Sequence, residues 1–240
     1  FSKGKIAVSI DGKFGYADKS GKLVINPQFD NARRFNDNGL AAVRVGTKWG
    51  FINEKGALVI NPQFDEVRKF APNGLAAVAI GDRWGYIDRS GKYIVNLQFD
   101  SAGEFSDNGL AAVQSGSKWG YIDRNGKLVI TPQFTSADKF KDGLAIVRTS
   151  AGYGYIDKTG KYIINPQFSS ASAFTENGLA MVSIGSSHGY INKKGAYVIN
   201  PQFDGAYSFG SNGLAAVKKS GKWGFIDKNG KFKIEAQFDS

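Results

Sequence analysis

Cysteine is absent from the 240 residues, histidine occurs once, and no apolar run approaches the roughly 20 residues a helix needs to cross a bilayer. Without cysteine there can be no disulfide staple, thiolate metal site or cysteine nucleophile. That absence does not choose a compartment, because cytosolic and bacterial secreted proteins both do without it. Methionine is missing from position 1, where Phe1 stands. A processed chain is therefore expected, with signal-peptide removal as one natural explanation. Also missing are a sustained helical period, a phosphate-cradling glycine-rich strand-to-helix motif, a metal-spaced His/Cys cluster and a nucleophile elbow. These absences point away from an enzyme, and no metal or cofactor is expected.

What is present is a globular apolar content of 42%, enough for a sizeable core, and a formal net charge of +10, which favours anionic partners. Above all there is repetition. The stretches "TKWGFINEKGALVINPQF", "SKWGYIDRNGKLVITPQF" and "GKWGFIDKNGKFKIEAQF" say nearly the same thing three times. Aligned on the glycine of the Trp-Gly pair, the copies fall at Gly15, Gly50, Gly85, Gly120, Gly154, Gly189 and Gly224, spaced 35 apart except for one interval of 34. The short interval lies in "FKDGLA", where other copies read like "FNDNGLA", so the deletion belongs in a loop. The units expected are 1–34, 35–69, 70–104, 105–139, 140–173, 174–208 and 209–240, forming a single repeat domain.

Each unit reads as strands. "LAAV" is short and apolar on both faces, and "KWGFI" is rich in aromatic and β-branched residues. A "D-x-x-G" turn follows, in which Asp bonds its own turn and Gly supplies a left-handed residue. The next strand is "KLVI" or "KYII". A proline (Pro27, Pro62, Pro132, Pro166, Pro201) is expected to end most ladders. The following "QFDxAxxF" reads either as a short outer strand or as an irregular connection. The glycine after Trp should weaken a strand, so a neighbouring ring or backbone is expected against it.

One such sheet carries apolar residues on both faces, and only stacked neighbours can bury both. The copy number, the absence of polar caps and the way "QFDS" leads back into Phe1–Val8 favour radial closure. The expected fold is all-β, a seven-bladed β-propeller, with an open β-solenoid of stacked hairpins as the alternative.

The pattern KWGFID…GK…VI…PQFD…F…GLAAV resembles that of the WG (or KWG) repeat family of bacteria, over essentially the whole chain. The resemblance implies a β-rich repeat module, often exported and often attached to other domains, with no catalytic residues to carry over. Phe14, Tyr153 and His188 depart from it at the Trp position, and Leu97 and Ala236 replace the usual proline.

Two candidate sites emerge. The hairpin tips carry Lys19, Lys22, Lys55, Arg89, Lys92, Arg124, Lys127, Lys158, Lys161, Lys193, Lys194, Lys228 and Lys231, a crown suited to an acidic partner. The plainer account is that cations at exposed turns suppress edge pairing and aid solubility. The second is a ligand pocket at Tyr153 and His188, where Gly152 and Ser187 also replace the preceding cation. His188 reads more simply as a flat ring standing in for Trp. The turn residues Asp18, Asp88, Asp123, Asp157 and Asp227 lack the alternating acids of a calcium loop, and Asn53 and Asn192 take the same place, so turn capping is expected of them.

The function expected is a non-enzymatic macromolecular binding module or scaffold, acting by protein–protein interaction within a larger assembly. The partner expected is another protein with an acidic surface. Binding of a carbohydrate or other anionic polymer at the cell surface is the alternative. Nucleic acid is disfavoured because the aromatic residues sit where a core needs them. A bacterial periplasmic or extracellular location follows from the resemblance and the missing Met.

Overall fold

The structure, a computed structural model, describes residues 1–239. It is built of strands and turns, with no helix among the described residues. The first sheet has three antiparallel strands, Lys5–Ile10, Lys13–Asp18 and Leu23–Phe29. The second has four in sequential order: Asn31–Ala32, Leu40–Val45, Lys48–Asn53 and Leu58–Phe64. Five more four-stranded sheets repeat this meander over 66–99, 101–134, 136–168, 170–203 and 205–238. The segment after Gln-Phe is therefore a two-residue outer strand, which pairs with the alanine-rich strand, as Asn31 does with Arg44 and Ala32 with Val43.

The proline does not end the ladder. Pro62 lies inside Leu58–Phe64, and pairing resumes beyond it at Trp49↔Phe64. The register slips between Trp49 and Phe51, because Phe51 pairs with Ile60. The proline strand bulges where Gly50 faces it, and a bulge is where a strand tolerates a residue without an N–H. A Cβ added to Gly50 would come 2.6 Å from the Pro62 nitrogen and closer still to the Ile60 carbonyl oxygen. The same approach recurs at Gly15, Gly85, Gly154, Gly189 and Gly224. Backbone is thus what the sequence's repeated glycine makes room for.

Packing divides the chain into two compact units, Phe1–Pro132 and a second beginning at Gln133. In the first unit, Tyr16, Ile25 and Phe29 of one sheet pack on Ala41, Val43 and Ile52 of the next, with Phe35 from the connection completing the cluster. Phe51, Ile60, Phe64 and Phe70 do the same against Ala76, Val78 and Ile87. In the second unit, Tyr155, Ile164, Phe168 and Phe174 meet Ala180, Val182 and Ile191, and Tyr190, Ile199, Phe203 and Phe209 meet Ala215, Val217 and Ile226. Each of these joints sets a large-residue face against a small, β-branched one. Each aromatic so buried contributes on the order of 4–6 kcal/mol before entropy is charged against it.

The buried tyrosines keep their hydroxyls satisfied. Tyr16, Tyr86, Tyr155 and Tyr190 donate to the carbonyls of Arg33, Gly103, Ser172 and Tyr207 at 2.7–2.9 Å. Burial pushes all four phenols well above their ordinary titration range.

Candidate binding surface

The two ends of each sheet treat their charges differently. At one end lies the D-x-x-G turn. Asp18 N donates to Lys22 O, Gly21 N donates to Asp18 O, and Gly21 sits at φ 85°. This is the expected type I turn with a left-handed glycine. The Asp18 carboxylate accepts from Ser20 N, Ser20 Oγ and Lys22 N at 2.6–3.1 Å. The Ser20 hydroxyl, followed by the two backbone N–H groups, holds this carboxyl below the usual aspartate range. Asp88 and Asp157 are held down in the same way by Ser90 and Thr159. Asn53 accepts equivalent bonds from Lys55 N and Ala57 N, so the amide serves as well as the acid. The acids cap their own turns.

All thirteen cations named for these turns are exposed. Among the described residues none of the thirteen is held in an ion pair within 4 Å. Arg89 alone is tethered by a side-chain hydrogen bond, donating to Asn38 Oδ1 at 2.6 Å. The tip cations of the first unit run from Lys19 to Lys127 and those of the second from Lys158 to Lys231. Within each unit the turn glycine packs on the sheet before it: Gly56 over Ile25 and Gly91 over Ile60 in the first, Gly195 over Ile164 and Gly230 over Ile199 in the second. That constant relation sets successive tips at the same end of successive sheets.

At the opposite end four cations are paired, whereas Lys118, which has Thr135 in place of the acid, is held in no ion pair among the described residues. The residue before Trp-Gly meets the acid after Gln-Phe, 17 positions on: Lys13 with Asp30 at 2.6 Å, Lys48 with Asp65 at 2.5 Å, Arg83 with Asp100 at 2.7 Å and Lys222 with Asp239 at 2.5 Å. The second carboxylate oxygen of Asp30, Asp65 and Asp100 accepts from the backbone N–H of Gly46, Gly81 and Gly116. The lysine hydrogen bond, then this backbone one, lowers the carboxyls of Asp30 and Asp65. In the fifth sheet both partners are lost together, to Gly152 and Ser169. The 17-residue spacing was visible in the sequence and is the signal that reveals this clasp.

The structure sets Tyr153 and His188 at equivalent positions of different sheets. Tyr153 pairs with Arg148 and Phe168, with the Arg148 guanidinium 5.2 Å from its ring centroid. His188 pairs with Ser183 and Phe203 and is half-buried, and its Nδ1 is buried without a hydrogen-bond partner. Neither side chain lines either of two cavities in the second unit, one walled by Asp138, Leu144, Ile146, Tyr155 and Phe174, the other by Lys141, Thr175, Glu176 and Phe209.

A profile described as "WG containing repeat" matches residues 14–49, 49–84, 84–119, 119–150, 153–186, 189–223 and 223–240. The chain belongs to the WG-repeat family. No curated protein matches it. Among solved structures it is similar to one titled "Crystal structure of the eukaryotic initiation factor", with 11% identity, TM-score 0.64 and coverage of 98% of this chain and 74% of that one. It is also similar to Hsv2p of Kluyveromyces lactis (11% identity, TM-score 0.50, 82% of this chain, 74% of that) and to the dihydro-heme d1 dehydrogenase NirN (11% identity, TM-score 0.50, 94% and 61%). At this identity the likeness shows the fold alone. The WG sheets are blades of β-propeller type.

The signature tryptophan of the WG repeat is not the centre of its core. Trp84 and Trp119 are half-buried, whereas the aromatic two positions on, Tyr86 or Tyr121, is fully buried; Trp49 is itself buried, and Trp223 and Phe225 are both half-buried. In three blades the Trp ring lies beneath a residue from the outer connection. Arg33 sits 4.4 Å from the Trp49 ring centroid, Arg68 lies 5.2 Å from that of Trp84, and Tyr207 stacks on Trp223 at 5.2 Å. Arg33 and Arg68 are anchored there by bonds to the carbonyls of Val67 and Ala102 in the next blade. In these two blades the indole is thus a platform that ties neighbouring blades together through an arginine.

Proposed function

We propose that this WG-repeat chain is a non-enzymatic binding module or scaffold that docks an acidic protein surface on its turn ends. One observation carries the reading. The tip cations are exposed and free of ion pairs, while Lys13, Lys48, Arg83 and Lys222 at the other end are matched to carboxylates. In each unit the turn acids, Asp18, Glu54, Asp88 and Asp123 in the first and Asp157 and Asp227 in the second, are fewer than the tip cations, so the field at each unit's turn end is positive. Such a field steers an acidic partner and fixes its orientation. The turns sit on packed sheets and are locked by their Asp or Asn caps, so the charges are presented with little loss of freedom on binding. The WG-family resemblance supports a bacterial periplasmic or extracellular setting, within a larger assembly.

Retention on immobilised polyglutamate tests this. The triple variant Lys55→Glu, Arg89→Glu, Lys92→Glu should elute at much lower salt than the parent. The variant Lys48→Glu, at the paired end, should elute close to it. Equal elution of parent and tip variant would remove the reading. Carbohydrate binding is the second reading, supported by the half-buried indole of Trp119, whose flat face suits a sugar ring. A glycan array without hits would dismiss it.

A further inference from the structure

Two arginines at equivalent places in successive blades of the first unit end differently. Arg33 sits over Trp49, donates from Nη1 to the Val67 carbonyl at 2.6 Å, and has the Glu66 carboxylate 4.0 Å from its Nη2. Arg68 sits over Trp84 in the same way and donates to the Ala102 carbonyl at 2.8 Å, but through Nε. The residue that stands where Glu66 does, one blade on, is Ser101: Glu66 pairs with Ala79 and Ser101 with Gln114, at the same step of the same strand. With serine in place of the acid, the Arg68 side chain is exposed and, among the described residues, held in no ion pair.

The acids nearest Ser101 in the chain do not make up the loss. Asp100 is held by Arg83 at 2.7 Å and accepts from the Gly116 N–H. Glu104 is engaged by Lys69 at 3.5 Å. Among the described residues nothing accepts from the two terminal nitrogens of Arg68, and the Ser101 hydroxyl makes no hydrogen bond. The guanidinium is nevertheless fixed, with its carbon 5.2 Å from the Trp84 ring centroid and its Nε bonded to the next blade. Little freedom is then lost when its outer edge meets a ligand. Its charge reaches Tyr86, whose phenol is raised by burial against the opposing influence of Arg68.

We propose that the outer edge of Arg68, together with the Ser101 hydroxyl, is a binding site for a carboxylate from outside the chain, the side chain of a glutamate or aspartate in a partner. The occupant is read from the preceding blade, where the chain supplies that carboxylate itself, from Glu66 to an arginine in the same setting. A guanidinium takes a carboxylate through two parallel N–H···O bonds, and the Nε bond to Ala102 leaves Nη1 and Nη2 for them. The serine hydroxyl can donate to the same anion, whereas a glutamate there would repel it. None of the thirteen tip cations belongs to this site, so it goes beyond the turn-end reading and is tested separately from it.

Titration of the full chain with N-acetyl-glutamate amide, followed by the NMR signals of the arginine side-chain nitrogens, tests the proposal. The Arg68 Nε–H signal should shift saturably while that of Arg33 stays in place. Ser101→Glu gives Arg68 the acid that Arg33 has, and should weaken binding by at least about tenfold. Glu66→Ser makes the converse change and should create a second site, seen as a saturable shift at Arg33. The tip variant Lys55→Glu, Arg89→Glu, Lys92→Glu should bind the probe as the parent does. An Arg68 signal that does not move, or a Ser101→Glu variant that binds like the parent, overturns the proposal. So does binding that is lost in the tip variant, because the probe is then held at the turns; that outcome leaves the turn-end reading standing.

Discussion

A Cβ placed on Gly50 would stand 2.6 Å from the backbone nitrogen of Pro62, across the bulge of the neighbouring strand. No rotamer change relieves a clash with backbone. Gly50→Ala should therefore cost about 3 kcal/mol, the upper range of overpacking penalties. Gly46→Ala is the comparison: Gly46 has φ 60° but open space around it, so only the left-handed conformation is penalised, by about 1–2 kcal/mol. Urea midpoints of the two variants decide the matter. Equal losses would show that close approach is not what requires glycine at the Trp-Gly position.

The turn caps make a second prediction. Asp88→Asn should be nearly neutral at pH 7, because Asn53 and Asn192 accept the same two backbone bonds. Asp88→Ala loses them and should cost about 1 kcal/mol. The Asp88 carboxyl is held below its ordinary 3.8, first by the Ser90 hydroxyl, so its contribution is complete above pH 3.8 and disappears as pH falls through the lower folded value. The Asn variant should lose less stability on acidification than the parent. Added calcium should leave the melting temperature unchanged, and a clear rise would contradict capping as the role of these acids.

Alkali should unfold the protein through its buried phenols. Tyr16, Tyr86, Tyr155 and Tyr190 titrate above the ordinary 10.0, because burial disfavours the phenolate. Each raised value means stability that is intact below pH 10 and is lost progressively as pH rises toward the folded value. Thermal melts from pH 8 upward should stay level to about pH 10 and then fall. Replacing all four by Phe, the residue present at Phe51, should flatten that fall while sacrificing the four hydroxyl bonds to carbonyls. A parent curve that stays flat well above pH 10 would mean the phenols are not sheltered.

A single blade should not fold. Residues 31–64 place Ala41, Val43 and Ile52 against the blade before and Phe51, Ile60 and Phe64 against the blade after. An isolated peptide of that span exposes both sets and should show no cooperative melt by circular dichroism. An ordered monomeric peptide would refute the stacking account.

Much of this was legible in the residues. The 35-residue period gave the blade count, D-x-x-G gave the turn and its cap, and a glycine beside every Trp announced a close approach. Three things were not. Pro62 reads as a strand terminator, but its strand continues to Phe64, because a bulge depends on register and the repeat period carries no register. Trp84 reads as core, yet it is only half-buried and its ring lies beneath Arg68, a residue from a connection whose path the sequence left open. The asymmetry between paired and unpaired cations needed the partner of each lysine. The charge census treats Lys48 and Lys55 alike, but Asp65 neutralises only the first.

The joint between blades has a consequence for how such chains change over generations. Because Ile25 on Gly56 and Ile199 on Gly230 are one contact written twice, an in-frame duplication or loss of one 35-residue unit creates no unfamiliar surface. The tight loop at Lys141–Leu144, one residue shorter than its counterparts, shows that even the connections bear trimming. Array length is thus a parameter that selection can adjust in single steps, leaving the chemistry of every seam as it was.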